Sequence, residues 1–253
     1  MLFRYVHSGT TGLPLAAPEP PQNDLLPCDD VSWDAGEIGT NEPVFALNTT
    51  ASTKYSTFAS TCRASHILGR VLGHRDERDR GQSLDLSFQL SEAAQLHRAL
   101  LALEASFDQA VDRDSSIVPR ALVYTARMVL YTLYACNDAY SARYGGVSVR
   151  LGEETDMQRV SQDGLLQVTC SVHELALELQ RSIAENIEAV SPLVVHCIFL
   201  AIGEAAWHVR EGVGSDQGMP AALDAMLDVL ETLNKRWKIC GMTSFFCLLT
   251  AEA

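Results

Sequence analysis

The stretch LLQVTCSVHELALELQRSIAENI, residues 165–187, decides the fold. Its apolar positions Leu165, Val168, Val172, Leu175, Leu179, Ile183 and Ile187 recur at steps of three and four. A strand would need a step of two; this spacing fits the 3.6-residue turn of an α-helix. No glycine or proline interrupts the run. One helix is therefore predicted over about 158–189, with a face that must pack on other helices.

Downstream, Ser191 and Pro192 read as an N-cap followed by a first-turn proline. The helix they open, to about Val209, is apolar almost all round and is predicted to lie at the centre of the fold. Its polar members His196 and Glu204 must be paired if buried. They are a candidate buried polar pair, or the lining of a small-molecule pocket between helices. After a loop over 212–218, Pro220 opens another helix whose stripe is Leu223, Met226, Leu230, Leu233 and Trp237. The apolar residues 245–249 are predicted to form a last short helix packing back on the core.

Upstream, Leu96, Leu100, Leu103 and Phe107 lie on one face of a helix over 84–109. Residues 53–74 form another, ending near Gly73. Pro119 opens a third, with the stripe Leu122, Ala126, Val129, Leu133, Cys136 and Tyr140, which stops near Gly145 and Gly146. A polar loop follows to about Asp156. Residues 1–50 hold six of the nine prolines. Proline lacks an amide donor and fixes φ, so this segment is predicted to be an extended arm. Trp33, Leu25, Leu26 and Phe45 are the apolar anchors by which it would dock. The fold class is thus all-α: an irregular arm over 1–50, then a helical domain of six or seven helices over 51–253.

The 253-residue chain carries 19 Lys and Arg against 32 Asp and Glu, a net charge of −13. Free-standing nucleic-acid binders draw most of their affinity from phosphate contacts and are normally basic. Direct DNA binding by this chain alone is therefore not expected. Its cations are scattered, and the run from Arg75 to Arg80 alternates in sign, so it reads as a solvated connector. The most apolar run, residues 193–207, is short and carries His196 and Glu204, which suits a buried helix better than a membrane span. Residues 1–18 lack the pattern of a secretory signal. The seven cysteines are read as free core thiols in a reducing compartment.

No catalytic constellation is legible. There is no Cys-x-x-Cys pair for zinc, no Gly-x-Ser-x-Gly elbow and no phosphate-cradling Gly-x-x-x-x-Gly-Lys loop. Cys170 and His173 have the spacing of half a metal site but no partner pair. Asp29, Asp30 and Asp34 are similar to the aspartate-rich magnesium motif of class I terpene cyclases. Such a motif needs a rigid helix, and the second half of the pattern, begun at Asn137, meets Gly145 where it requires Glu.

Five segments together resemble the regulatory, or middle homology, domain of fungal zinc binuclear-cluster and zinc-finger transcription factors. They are LPCDD at 26–30 followed by Trp33, ILGRVLGH at 67–74, ALLAL at 99–103, SPLVVHC at 191–197 and NKRWK at 234–238. They stand in the family's order and cover about residues 26–249. The resemblance implies an α-helical regulatory and interaction module, in the nucleus, with transcription machinery or co-regulators as partners. A small-molecule effector and a second copy of the chain are further candidate partners; a membrane is not. The family's six-cysteine zinc module, which reads DNA, is absent here, as is the first half of the regulatory domain. The match is to the C-terminal half, and zinc is expected only in the missing module. Trp33, Pro192, Arg236 and Trp237 are the structural signature, and none of the motifs is catalytic. The alternative is a helical partner- or small-molecule-binding protein derived from such a factor; a cyclase-like enzyme comes third.

Overall fold

A computed structural model describes residues 20–21, 23–37, 56–79, 86–108, 116–135, 152–212 and 218–238. Among them are seven α-helices: α1 Asp30–Ala35, α2 Thr57–Asp79, α3 Leu86–Asp108, α4 Ile117–Ala135, α5 Gly152–Asn186, α6 Val195–Glu211 and α7 Gly218–Asn234. Two short 3₁₀ turns, Ile187–Ala189 and Pro192–Val194, join α5 to α6. The described residues contain no β-sheet, so the protein is all-α. It divides into two compact units, Met1–Leu130 and Tyr131–Ala253, with the division inside α4.

In the first unit the arm is not wholly irregular. Asp29 caps α1 by accepting the Ser32 amide at 3.0 Å and the Ser32 hydroxyl at 2.8 Å. Gly36, at φ +67°, ends it. The Gly36 amide donates to the Trp33 carbonyl and the Glu37 amide to the Ser32 carbonyl, which is a Schellman closure. Of the expected anchors Leu26 is buried, but Trp33 is 73% exposed and Leu25 60%. Six helical residues closed at both ends by local bonds have no need to bury a large ring. Phe45 lies outside the described residues.

α2 runs six residues past Gly73, where a stop was expected. A mid-helix glycine costs only about 1 kcal/mol relative to alanine, and His74 just beyond it is buried and bonded to Glu92 of α3 at 2.7 Å. The helix therefore continues into the charged run, where Arg75 pairs with Asp76. The two helices pack on Ile67, Leu68, Val71 and Leu72 of α2 and Leu96, Leu100, Leu103 and Phe107 of α3, all buried. The first-unit part of α4 is buried on every side over residues 121–128, Thr125 and Arg127 included. Arg127 is paired to Glu104 of α3.

In the second unit α5, α6 and α7 pack on one another. The stripe Leu165, Val168, Val172, Leu175 and Leu179 is buried as its spacing requires; Ile183 and Ile187, nearer the end, are only half-buried. α5 begins at Gly152, inside the expected loop, with Glu153 and Glu154 in its first turn, where carboxylates suit the helix dipole. The end of α4 belongs to this unit. Its Ala135 carbonyl, one of the last-turn acceptors without an intrahelical partner, takes the side-chain amides of Gln158 and Gln162, each at 3.2 Å. Tyr131, fully buried, lies flat over Gly164: a Cβ there would meet its Cε2 at 2.5 Å. The expected helix over 245–249, and Cys136 and Tyr140, lie outside the described residues.

Candidate functional site

In the second unit the segment at 234–238 is bonded to Val190, the residue that precedes the segment at 191–197. Ser191 caps the turn Pro192–Val194 through the Leu193 amide at 3.3 Å, with Pro192 in its first turn as expected. Immediately before it, Asn186 caps the turn Ile187–Ala189, and Val190 is buried with its carbonyl turned to α7. That carbonyl accepts the indole N–H of Trp237 at 3.3 Å. α7 itself stops at Asn234, three residues before Trp237, so the ring does not continue the helical stripe. The chain tightens there: Lys235 and Arg236 donate to carbonyls three residues back, and Trp237 donates to Leu233 at 2.7 Å. Trp237 is half-buried as a result, not sunk in the core. Arg236 is exposed, its guanidinium 4.9 Å from the Trp237 ring centre and 3.9 Å from the Glu188 carboxylate. With Lys235 and Lys238 it places positive charge beside the last carbonyls of α7, which favours the helix end.

α6 carries the expected polar pair, but its two members do not meet. His196 and Glu204 are eight residues apart on one helix, a rise of about 12 Å, and both are half-buried. Glu204 faces His208 instead, Oε1 to Nε2 at 3.4 Å. The contact is not a formed hydrogen bond, since both ring nitrogens of the buried His208 lack one. Burial pushes the Glu204 carboxyl above its usual range, and His208 pulls the other way. The i,i+4 spacing of Glu204 and His208 was the available sign of this contact.

α6 is not the central helix its composition suggests. One face, Val195, Ile198, Ala201, Ile202 and Ala205, is buried against α5 and α7. The opposite face carries Phe199, Leu200 and Ala206, half-buried, and Gly203 and Trp207, exposed. Residues Pro192–Glu211 are long and apolar enough, by length and composition, to cross a membrane, with 44% buried inside the structure. Packing on α5 and α7 covers the inner face of this segment.

In the first unit, the LPCDD segment is tied to the start of α2. The Ser56 hydroxyl caps α2 through the Ala59 amide at 3.1 Å and donates to the Cys28 carbonyl at 3.4 Å. Asp29, committed to Ser32, has its carboxyl held below the usual range by the Ser32 amide and then its hydroxyl. The ILGRVLGH segment is joined to α3 by its final residue, through His74 and Glu92. Sequence reasoning missed the Arg127–Glu104 pair. Burial, then Arg127 and Arg98, holds the neighbouring His97 imidazole below its usual value.

Among the described residues no three His, Cys, Asp or Glu side chains converge as a metal site. Cys197 is buried and Cys28 and Cys62 half-buried, but Cys170 is exposed, since it lies on the outward side of α5. Asn137 and Asp138 lie outside the described residues. No family model, curated protein or solved structure matches this chain.

Proposed function

We propose that this chain is a regulatory and interaction module of the fungal transcription factor type, acting through protein contacts and not through chemistry. The single observation that supports the reading is the Trp237–Val190 bond. It joins NKRWK to the residue preceding SPLVVHC, two of the segments that carry the resemblance, across 47 positions of sequence. Residues that serve as a fold signature should touch one another in this way, whereas chance matches would scatter. The net charge of −13 adds to it: the module would work beside a separate DNA reader, in the nucleus, rather than contact phosphates itself.

The test is a tethering experiment. The chain is fused to an unrelated sequence-specific DNA-binding domain and a reporter is measured against that domain alone. A change in reporter output, lost when Trp237 is replaced by Ala, is the expected result. Equal output from the fusion and the bare domain would overturn the proposal. A gel-shift series on the unfused chain should show no site-specific complex.

A further inference from the structure

Ser191 is followed by Pro192, and this is the only Ser-Pro or Thr-Pro dipeptide in the chain. Both residues are half-buried, so part of each reaches the surface of the link between α5 and α6. The backbone at Ser191 is extended, φ −75° and ψ 139°, and the bond to Pro192 is trans. The proline ring holds it so by crowding the helical alternative. The Ser191 oxygen accepts the Leu193 amide at a long 3.3 Å, and among the described residues its O–H donates to no protein acceptor. Proline-directed protein kinases take a hydroxyl presented in this way, since the imide nitrogen brings no N–H to bury.

The surroundings suit what such a kinase adds. Lys235, Arg236 and Lys238 are exposed and lie within four positions of an otherwise acidic chain. Trp237, between them, is bonded to Val190, the residue before Ser191. The Arg236 guanidinium stands 3.9 Å from Glu188, whose side chain is 79% exposed. A pair so long and so solvated holds Arg236 weakly. A phosphate carries about −1.5 to −2 charge and three acceptor oxygens, which makes it the better partner for a guanidinium.

We propose that Ser191 is a phosphorylation site for a proline-directed kinase, and that its phosphate draws Arg236 from Glu188 and tightens the clamp between α7 and the α5–α6 link. The Ser191 Oγ attacks the γ-phosphorus of a nucleoside triphosphate. The Oγ–P bond forms, the bond from that phosphorus to the β-phosphate oxygen breaks, and the nucleoside diphosphate leaves with the electron pair. The hydroxyl proton passes to the catalytic carboxylate of the kinase. This goes beyond the functional reading and does not depend on it.

The experiment treats the folded full chain with a kinase of the cyclin-dependent type, Mg²⁺ and ATP, and locates the phosphate by mass spectrometry. A synthetic peptide of residues 186–198 is the unfolded reference and shows whether the kinase takes this sequence. The folded chain should gain phosphate on Ser191 at no less than about one tenth of the peptide's rate. Phosphorylation should raise the melting temperature by about 2–4 °C. Arg236→Gln, at an exposed side chain, should be labelled at the parent's rate and lose most of that gain. Labelling of the peptide but not of the folded chain overturns the proposal, because Ser191 is then a cap and nothing more. So does failure to label either, a melting temperature that phosphorylation leaves unchanged or lowers, or a gain that Arg236→Gln keeps in full.

Discussion

The indole N–H of Trp237 is bonded to the Val190 carbonyl at 3.3 Å, so the end of α7 is held to the link between α5 and α6. Trp237→Ala removes the ring and leaves a buried carbonyl unpaired. Because the ring is half-buried, the loss should fall at roughly 2–3 kcal/mol, below the 3–5 of a fully buried aromatic. Trp237→Phe keeps most of the area and should cost about 1 kcal/mol. Arg236→Ala, at an exposed side chain, should stay within about 0.5 kcal/mol. Urea melts of the three variants decide it; equal midpoints for Trp237→Ala and the parent would remove the clamp.

Two glycines in helices should respond with opposite sign. Gly164→Ala pushes a methyl into the Tyr131 ring, which is packed on all sides, and should cost about 1–3 kcal/mol. Gly73→Ala meets open space in the middle of α2 and should stabilise by about 0.5–1 kcal/mol. Thermal melts giving the same sign for both would contradict the packing of α4 on α5.

Arg127 is 3% exposed and its charge is balanced by Glu104. Removing one partner leaves the other charge less well compensated at a largely buried place, so Glu104→Gln and Arg127→Met should each cost roughly 1–3 kcal/mol. Replacing both with Leu and Met should recover most of that loss. A double variant no more stable than the worse single one would show that the pair is not what matters.

The His97 imidazole sits below its usual 6.5 because burial, and then Arg127 and Arg98, disfavour its cation. The unfolded chain takes up this proton near 6.5 and the folded chain only lower, so the unfolded state binds more protons in between. Stability present above about pH 6.5 is therefore lost as pH falls through the lower folded value. Denaturant midpoints between pH 7.5 and 5 should fall more steeply in the parent than in His97→Gln. Parallel curves would rule out His97 as the source.

Glu204 runs the other way. Its folded carboxyl titrates above the usual 4.5, so its contribution is full below that value and is lost as pH rises through the raised one. Glu204→Gln should then raise the melting temperature at pH 7 and leave it unchanged near pH 4. A variant that melts lower than the parent at pH 7 would mean that the contact with His208 outweighs the burial.

Periodicity located the helices because it records which face of each is dry. Leu96, Leu100, Leu103 and Phe107 are buried together, and so are Val168, Val172, Leu175 and Leu179. Ser191 and Pro192 were legible as a start for a local reason, a side chain bonding an amide two residues on. What periodicity does not record is how many neighbours an element has. α4 and α6 look alike in hydropathy, yet residues 121–128 of α4 are covered all round and α6 keeps Trp207 in solvent. Helix ends were less legible still: Gly73 did not stop α2, because His74 found Glu92 on another helix. Arg127 and Glu104 stand 23 positions apart, with no local pattern to link them. Of the candidate site, the half of the polar pair read at Glu204 found its partner at His208, one turn along the same helix.

The order of the second unit along the chain has a consequence for synthesis. Among the described residues, the dry stripe of α5 from Val168 through Leu179 packs chiefly on α6 and α7, and α7 is complete only past Leu233. At about 5–20 residues per second, a ribosome needs about 3–11 s to lay down the residues between. For that interval Val168, Val172 and Leu175 lack α6 and α7 to pack against, so nascent α5 carries an exposed apolar face until Trp237 emerges and locks the unit.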